Sequence, residues 1–268
     1  MPLAVCATPI GNLDDVTLRV LDELRSADVV LCEDTRHTSR LLARHAIEAP
    51  LLSYHEHNEA RRTTEMLPRL LRGERVALVS DAGLPGISDP GARLVAAALD
   101  AGLTVSVLPG PSAVETALVA SGFEAERYQF IGFLPRRAGE LAELWRELAQ
   151  WRHTLVAFES PNRLARTLAS LAEALPDRPV AVCRELTKRF EEVVRGPAAE
   201  VAERFAGGAK GEITLVVGPG DVGAALDEAE AVAAVAALLR GGTSRKAAAD
   251  VVSRLTGVPR KRLYDASL

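Results

Sequence analysis

The chain has 268 residues, 32 Lys+Arg against 36 Asp+Glu and a formal net charge of −4, with 48% apolar and 25% charged residues. These are globular proportions with material for a sizeable core; they exclude a disordered chain, a collagen and a coiled coil, and leave one large domain or two modest ones. No apolar run approaches the roughly 18 residues of a membrane span; short ones such as Val76–Val79 and Leu215–Val217 are typical. The opening MPLAVCATPIGN lacks a basic region and soon reaches a Gly-Asn turn, so it reads as a first strand and not as a signal peptide. Cys6, Cys32 and Cys183 are far apart and match no zinc, CxxC or disulfide spacing. A reduced, cytoplasmic compartment is the expectation.

Along the first 120 residues, strand and helix signals alternate. Leu3–Cys6 predicts a strand, Thr17–Ser26 a helix with Leu18, Leu21 and Leu24 on one face, and Val29–Cys32 a second strand. A helix through Leu41 and Leu42, a weak strand at Leu51–Tyr54 and a polar helix over Asn58–Arg72 follow. Val76–Val79 is a buried strand, Asp89 or Pro90 opens a helix toward Ala101, and Val105–Leu108 is a strand stopped by Pro109-Gly110-Pro111. Ser112 caps a helix through Ala120. Short apolar strands alternating with helices predict a parallel sheet covered on both faces.

Gly122–Arg127 reads as a linker, after which strands at Phe130–Phe133, Thr154–Phe158, Val180–Cys183, Glu192–Arg195 and Glu212–Val217 predict a second domain with a more mixed sheet. Gly218–Asp221 breaks the chain before an Ala-rich helix over about Leu226–Leu239. Two short basic helices, Ser244–Thr256 and Arg260–Ala266, join at Gly257 in a generic helix-turn-helix pattern. The expected division is 1–121, 122–220 and 221–268: two α/β domains and a small helical C-terminal extension. From Arg240 onward there are seven basic residues against two acidic ones, a local +5 on a body of −9. Such an asymmetry marks either an anionic partner or a solvated helical face.

In an open parallel sheet, ligands bind beyond the carboxyl ends of the strands. Here those ends carry Thr8-Pro9-Ile10-Gly11-Asn12, then Glu33 to His37, then Ser80 to Gly91, then Pro109 to Ala113. Glycine permits close backbone approach to a ligand and proline stiffens the loop around it. There is no GxxxxGK[ST], and no GxGxxG follows the first strand, so a phosphate cradle is not indicated. Asp81 and Asp89 instead suit a ligand with hydroxyls or a positive centre. His55 and His57 share a face if that segment is a strand, which leaves open a metal pair or a plain polar loop; no metal site is expected.

The segments TPIGNLDDVTLRVLDELRSADVVLCEDTRHTSRLL, SDAGLPGISDPG, LPGPSA, FIGFLPR, FESPNRL, CRELTKRFEE and GEITLVV occur in this order. Together they resemble the tetrapyrrole methylase superfamily, and within it the subfamily that methylates ribose 2′-hydroxyls of small-subunit (16S) ribosomal RNA. CEDTRHT and SDAGLPGISDPG carry the distinction from relatives acting on corrinoid and siroheme precursors. The resemblance covers about Pro2–Val217, and the basic C-terminal helices fit that subfamily's usual extension.

The resemblance implies S-adenosylmethionine (S-adenosyl-L-methionine) bound in a cleft between two α/β domains. It places Pro9, Ser80, Asp81, Ala82, Gly83, Ser112 and Ala113 on the cofactor from the first domain. From the second come Phe158, Glu159, Leu186, Glu212 and Ile213, around the adenine. Where the wider family has Gly-Asp-Pro, this chain reads Ser80-Asp81-Ala82. The implied reaction is in-line methyl transfer to the 2′-oxygen of a decoding-centre cytidine. Asp34 is the first candidate for general base and His37 the second, with Glu33 beside them and Arg36 for the phosphate; carboxylates there also suit the first turn of a helix. The implied partners are the small ribosomal subunit and a second copy in a homodimer, with no membrane. Aromatic residues are only 4% of the chain, so shape and phosphate contacts are the expected basis of RNA recognition. Two alternatives stand beside this reading: a tetrapyrrole-precursor methyltransferase, which a large apolar trough would favour, and a non-catalytic RNA-binding assembly factor, which a failure to bind S-adenosylmethionine would favour.

Overall fold

The structure is a computed structural model that describes residues 2–220 and 228–267. The expected break at Asp221 and helix start at Leu226 lie outside the described residues. The chain up to Arg146, together with His153–Pro219, forms one compact unit, and Glu147–Arg152 with the helices beyond Gly220 forms another.

The first half of the larger unit alternates strand and helix: β1 Leu3–Cys6, α1 Leu18–Ser26, β2 Val29–Cys32, α2 Thr35–Arg44, β3 Leu51–Ser53, α3 Glu59–Leu71, β4 Val76–Val79, α4 Ala92–Asp100, β5 Val105–Leu108 and α5 Ala113–Ser121. The five strands form a parallel sheet in the order β3-β2-β4-β1-β5. Both faces are covered. Ala4 and Cys6 of β1 join Val20, Leu24 and Leu42 from α1 and α2 on one side. Leu3 and Val5 join Met66, Leu70 and Leu94 from α3 and α4 on the other. That is why the inner strands β1, β2 and β4 are apolar at every position and not at alternate ones. Helix α4 starts at Ala92, later than expected, because Gly91 holds φ 144 and breaks the helical path.

The second half contains β6 Tyr128–Phe133, α6 Ala138–Leu148, β7 Thr154–Glu159, α7 Pro161–Ala174, β8 Pro179–Arg184, β9 Glu192–Pro197, α8 Ala198–Arg204 and β10 Ile213–Val217. Its sheet order is β6-β7-β10-β8-β9, with β6 parallel to β7 and every other pairing antiparallel. Helix α5, the last of the first half, packs Val114, Ala117 and Leu118 against Val156, Ala181, Cys183 and Val216 of this second sheet. The connection 122–127 is pinned: the Thr154 hydroxyl donates to the Glu124 carbonyl at 2.7 Å and Arg195 Nη1 to the Ser121 carbonyl at 3.1 Å.

The smaller unit holds α9 Glu228–Arg240, α10 Arg245–Thr256 and α11 Arg260–Ala266 around Ala231, Val235, Ala248, Val252 and Leu263. Ser244 caps α10 by accepting the Ala247 N–H, and Gly257 ends it in the left-handed region, as the Ser and Gly placement predicts. Lys246, Arg254, Arg260, Lys261 and Arg262 are all exposed. No helix among the described residues is long and apolar enough to cross a membrane. The three cysteines are buried and unbridged, and burial pushes the Cys6 and Cys183 thiols up to about 12, which leaves them chemically quiet.

One contact tests how tightly the halves of the larger unit are fitted. A Cβ on Gly11 would lie 2.7 Å from the Thr187 hydroxyl and 2.8 Å from the Leu186 carbonyl. Gly11→Ala therefore lowers stability by about 1–3 kcal/mol, the usual range for overpacking, as read by urea unfolding.

Candidate active site

All five strands of the parallel sheet end on one edge, where their loops must find partners for backbone groups the sheet no longer pairs. The loops after β1 and β4 find each other. Thr8 and Gly83 exchange N–H···O bonds of 2.8 and 3.0 Å, and the Thr8 hydroxyl donates to the Ser80 carbonyl at 2.9 Å. Gly83 sits at φ 76, a conformation only glycine adopts without strain.

Between this edge and the second sheet lies a cavity of about 480 Å³, a size suited to a small-molecule ligand. Asp81, Ala82, Gly83, Ser112 and Ala113 line it from the first half. Phe158, Glu159, Leu186, Glu212 and Ile213 line it from the second. Pro9 and Ser80 do not reach it; Ser80 is buried and its hydroxyl donates to the Gly83 carbonyl at 3.1 Å, bracing the loop from behind.

The residues after β2 stand outside the cavity lining. Asp34 caps α2 by accepting the Arg36 N–H at 2.8 Å and holds the Arg36 guanidinium through bonds of 3.1 and 2.8 Å. These hydrogen bonds keep its carboxyl well below the usual carboxylate range, which makes it a weak proton acceptor. Arg36 and His37 are exposed in the first turn of α2, and Glu33 is half-buried. Asp34 thus serves as the helix cap, the other role its position allowed.

Asp89, expected to suit a ligand with hydroxyls or a positive centre but not named among the candidate bases or cofactor contacts, lines the cavity. Burial, and then the nearby carboxylates of Glu33 and Asp81, push its carboxyl up to about 6. Asp81 lies beside it in the lining and accepts the Asp34 backbone N–H at 3.1 Å. The signal for Asp89 was its place in SDAGLPGISDPG; its burial came only from the fold.

On the far wall, Glu159 faces inward. Its carboxylate accepts the Ser160 N–H and the Thr167 hydroxyl, each at 2.6 Å, and pairs with Arg163. Arg163 in turn donates to the Leu134 and Pro135 carbonyls, at 3.2–3.3 Å. Glu159 is therefore spent on holding the start of α7 and the end of β6 together. Leu186 is presented by a loop whose flanking residues, Glu185 (φ 53) and Thr187 (φ 63), are both left-handed and non-glycine. Such conformations cost about 1–3 kcal/mol each and persist only where the surroundings hold them. Here the Asn12 N–H donates to the Thr187 hydroxyl at 3.0 Å, and the Glu212 N–H to the Glu185 carboxylate at 3.0 Å. Lys188 bridges Glu185 and Glu212 at 2.9 and 3.0 Å.

His55 and His57 do not form a ligand pair. His55 Nε2 meets the Asn58 amide at 3.0 Å, and the two rings stand edge-on with centroids 6.0 Å apart. Among the described residues no group of three or more His, Cys, Asp or Glu is placed to hold a metal ion.

The tetrapyrrole (corrin/porphyrin) methylases match residues 2–202. The chain belongs to this family. Among its relatives are proteins named ribosomal RNA small subunit methyltransferase I. That of Micromonospora olivasterospora is 43% identical over 98% of this chain and 85% of its own length. That of Mycobacterium tuberculosis H37Rv is 46% identical over 99% and 94%, and that of Bacillus subtilis 168 is 41% identical over 98% and 93%. Solved methylases share the fold at low identity. The methyltransferase CobJ aligns with a TM-score of 0.62 at 22% identity, over 81% of this chain and 93% of that one. Uroporphyrin-III C-methyl transferase from Thermus thermophilus, complexed with S-adenosyl homocysteine, aligns with a TM-score of 0.54 at 21% identity, over 81% and 96%.

The Glu159 arrangement makes a stability prediction separate from chemistry. Glu159→Ala leaves the Arg163 guanidinium without its carboxylate and lowers stability by about 3–5 kcal/mol in urea unfolding, the range for breaking a buried ion pair.

Proposed function

We propose that this methylase uses S-adenosylmethionine to methylate small-subunit ribosomal RNA, at the ribose 2′-hydroxyl of a decoding-centre cytidine. We place it in the cytoplasm as a homodimer, with β5 leaving Val107 exposed on the open edge of the first sheet for a second copy to cover. The observation that carries the reaction is the cavity. It brings two Gly/Pro loops, an apolar far wall and one carboxyl with a raised pKa onto the same space. The RNA substrate rests on the relatives' names across nearly their full length and on the CEDTRHT and SDAGLPGISDPG motifs.

The cavity fits the cofactor. Phe158, Leu186 and Ile213 offer an apolar slot for adenine, the Ala82–Gly83 and Ser112–Ala113 backbone lies open along the opposite wall, and Asp81 and Asp89 answer hydroxyls or a positive sulfur. When bound, S-adenosylmethionine supplies a methyl group on a sulfonium, which leaves without needing a proton. The protein's remaining work is to hold the acceptor hydroxyl and take its proton. Asp89 is suited to this: it faces the cavity, and with a pKa of about 6 it is ionised at neutral pH yet remains a stronger base than an ordinary carboxylate. Asp34, clamped by Arg36, is the weaker choice. The exposed basic face of the C-terminal helices gives the phosphate contacts.

The first test offers labelled S-adenosylmethionine to small subunits lacking the modification, to the same RNA stripped of protein and to a tetrapyrrole precursor. Label at an alkali-resistant ribose of the subunit RNA is the expected outcome; label in the tetrapyrrole overturns the substrate assignment. With Asp89 as base, the rate at saturating substrates rises with pH up to about 6 and then levels, because only the ionised carboxylate accepts the proton. Asp89→Asn lowers the rate by roughly 10²–10⁴-fold and abolishes that limb, while Asp34→Asn, which still caps α2, keeps it. Neutralising Arg260, Lys261 and Arg262 together reduces the salt slope of subunit binding by about three units at most.

A further inference from the structure

Two large apolar side chains at the cavity stand exposed where a buried lining residue is expected. Ile87 is 48% exposed and Phe133 is 60% exposed, and both line the same cavity as Asp89. Neither position is a loose loop tip. Ser88, between Ile87 and Asp89, holds φ 61, a left-handed conformation that fixes how the two flanking side chains point. Across from it, β6 shifts register against β7 between Phe130 and Phe133, with Gly132 at φ 69. The bulge and the Ser88 turn meet: a Cβ on Gly132 would lie 3.3 Å from the Ser88 hydroxyl oxygen. A bulge re-aims the side chain that follows it, and here that side chain is Phe133.

Phe133 is held on its far side as well. Its ring packs edge-on against Phe158 with centroids 5.5 Å apart, and Phe158 packs likewise against Phe130 at 5.0 Å. The next residues are fastened by the Leu134 N–H to the Phe158 carbonyl at 3.1 Å and by the Glu159–Arg163 clamp on the Leu134 and Pro135 carbonyls. A rigid aromatic edge-packed on its inner neighbour and open to solvent is pre-organised to receive a flat ring. Arg136 and Arg137, both exposed, follow immediately and suit the phosphates of a nucleic acid strand.

We infer that Phe133 and Ile87 form a docking platform for the nucleobase of the acceptor nucleotide, stacked at the cavity mouth while its ribose reaches Asp89. This deepens, and rests on, the ribose-methylation reading above. A ribose cannot enter a cavity of about 480 Å³ beside a cofactor while its base stays stacked in the RNA, so the base leaves the stack and needs a new surface. Aromatic stacking supplies one that tolerates any base. The low aromatic content of the chain does not argue against this, because one fixed ring at the right place suffices. The other candidate occupant of the patch is a second copy of this chain, which the test below separates.

The experiment measures methyl transfer to unmodified small ribosomal subunits, S-adenosylhomocysteine affinity by calorimetry and oligomeric state by sedimentation. It compares the wild type with Phe133→Ala, Phe133→Leu and Phe133→Trp. The platform predicts kcat/KM for the subunit down roughly 5- to 150-fold in Phe133→Ala, the range of one lost stacking contact. It predicts a loss nearly as large in Phe133→Leu, which keeps apolar bulk but has no π-face, and near wild-type activity in Phe133→Trp. Affinity for S-adenosylhomocysteine and the sedimentation profile stay unchanged in all three. Full activity in Phe133→Leu overturns the platform and leaves the ribose-methylation reading standing. An equal loss of S-adenosylhomocysteine affinity assigns Phe133 to the cofactor pocket, and a change in oligomeric state assigns it to an interface between copies; either overturns the inference. Wild-type enzyme that labels only the tetrapyrrole overturns the underlying reading and the platform with it.

Discussion

Five parallel strands that stop at one edge leave a row of backbone donors and acceptors with no sheet to pair them. The architecture follows from how that row is satisfied. Thr8 and Gly83 pair across the gap between the β1 and β4 loops, and the Thr8 and Ser80 hydroxyls take up carbonyls behind them. This clasp turns two long loops into a fixed wall.

The opposite wall depends on α5. It closes the first sheet's chain, yet packs its apolar residues on the second sheet. One helix therefore sets the distance between two sheets of different topology, one all-parallel and one mainly antiparallel. The cavity is the space left over, and its far side is stiffened by charge rather than by apolar packing alone. Glu159 holds Arg163, and Arg163 holds the end of β6. Lys188 ties Glu185 and Glu212 across two left-handed residues. Energy stored in that loop is offset by its hydrogen bonds, which is the usual arrangement where a backbone must face a ligand closely.

The acidic residues around the first wall illustrate how environment divides like groups. Asp34 sits at a helix N-terminus with a guanidinium on it and stays ionised far below neutrality. Asp89, also a carboxylate, is half-buried near two others, and the charged form is disfavoured. Burial and like charge raise one, hydrogen bonding and an opposite charge lower the other. A structural cap and a candidate base thus arise from the same side-chain type. Sequence proximity to a polar motif does not distinguish them.

The order of strands and helices was legible because it is a local property. Apolar runs such as Val76–Val79 and turn signals such as Pro109-Gly110-Pro111 act within a few residues, and the strands and helices they predict agree with the structure to within a few residues at their ends. The near wall of the cavity was legible too, since the carboxyl ends of parallel strands must share an edge and the Gly- and Pro-rich segments lie there; the far-wall residues were expected only through the family resemblance. What the sequence could not supply was burial and partnership across the fold. Glu159, placed around the adenine by the resemblance, has its carboxylate taken up by Arg163 and Thr167. Asp34 reads equally as a general base or a helix cap, and its bonds to the Arg36 N–H and guanidinium give it the cap. Asp89 and Phe133 gain their character from residues distant in sequence, across the turn at Ser88 and the bulge at Gly132. A side chain's pKa, exposure and direction are set by what surrounds it in three dimensions, so only the tertiary structure decided which of the residues along that edge face the cavity.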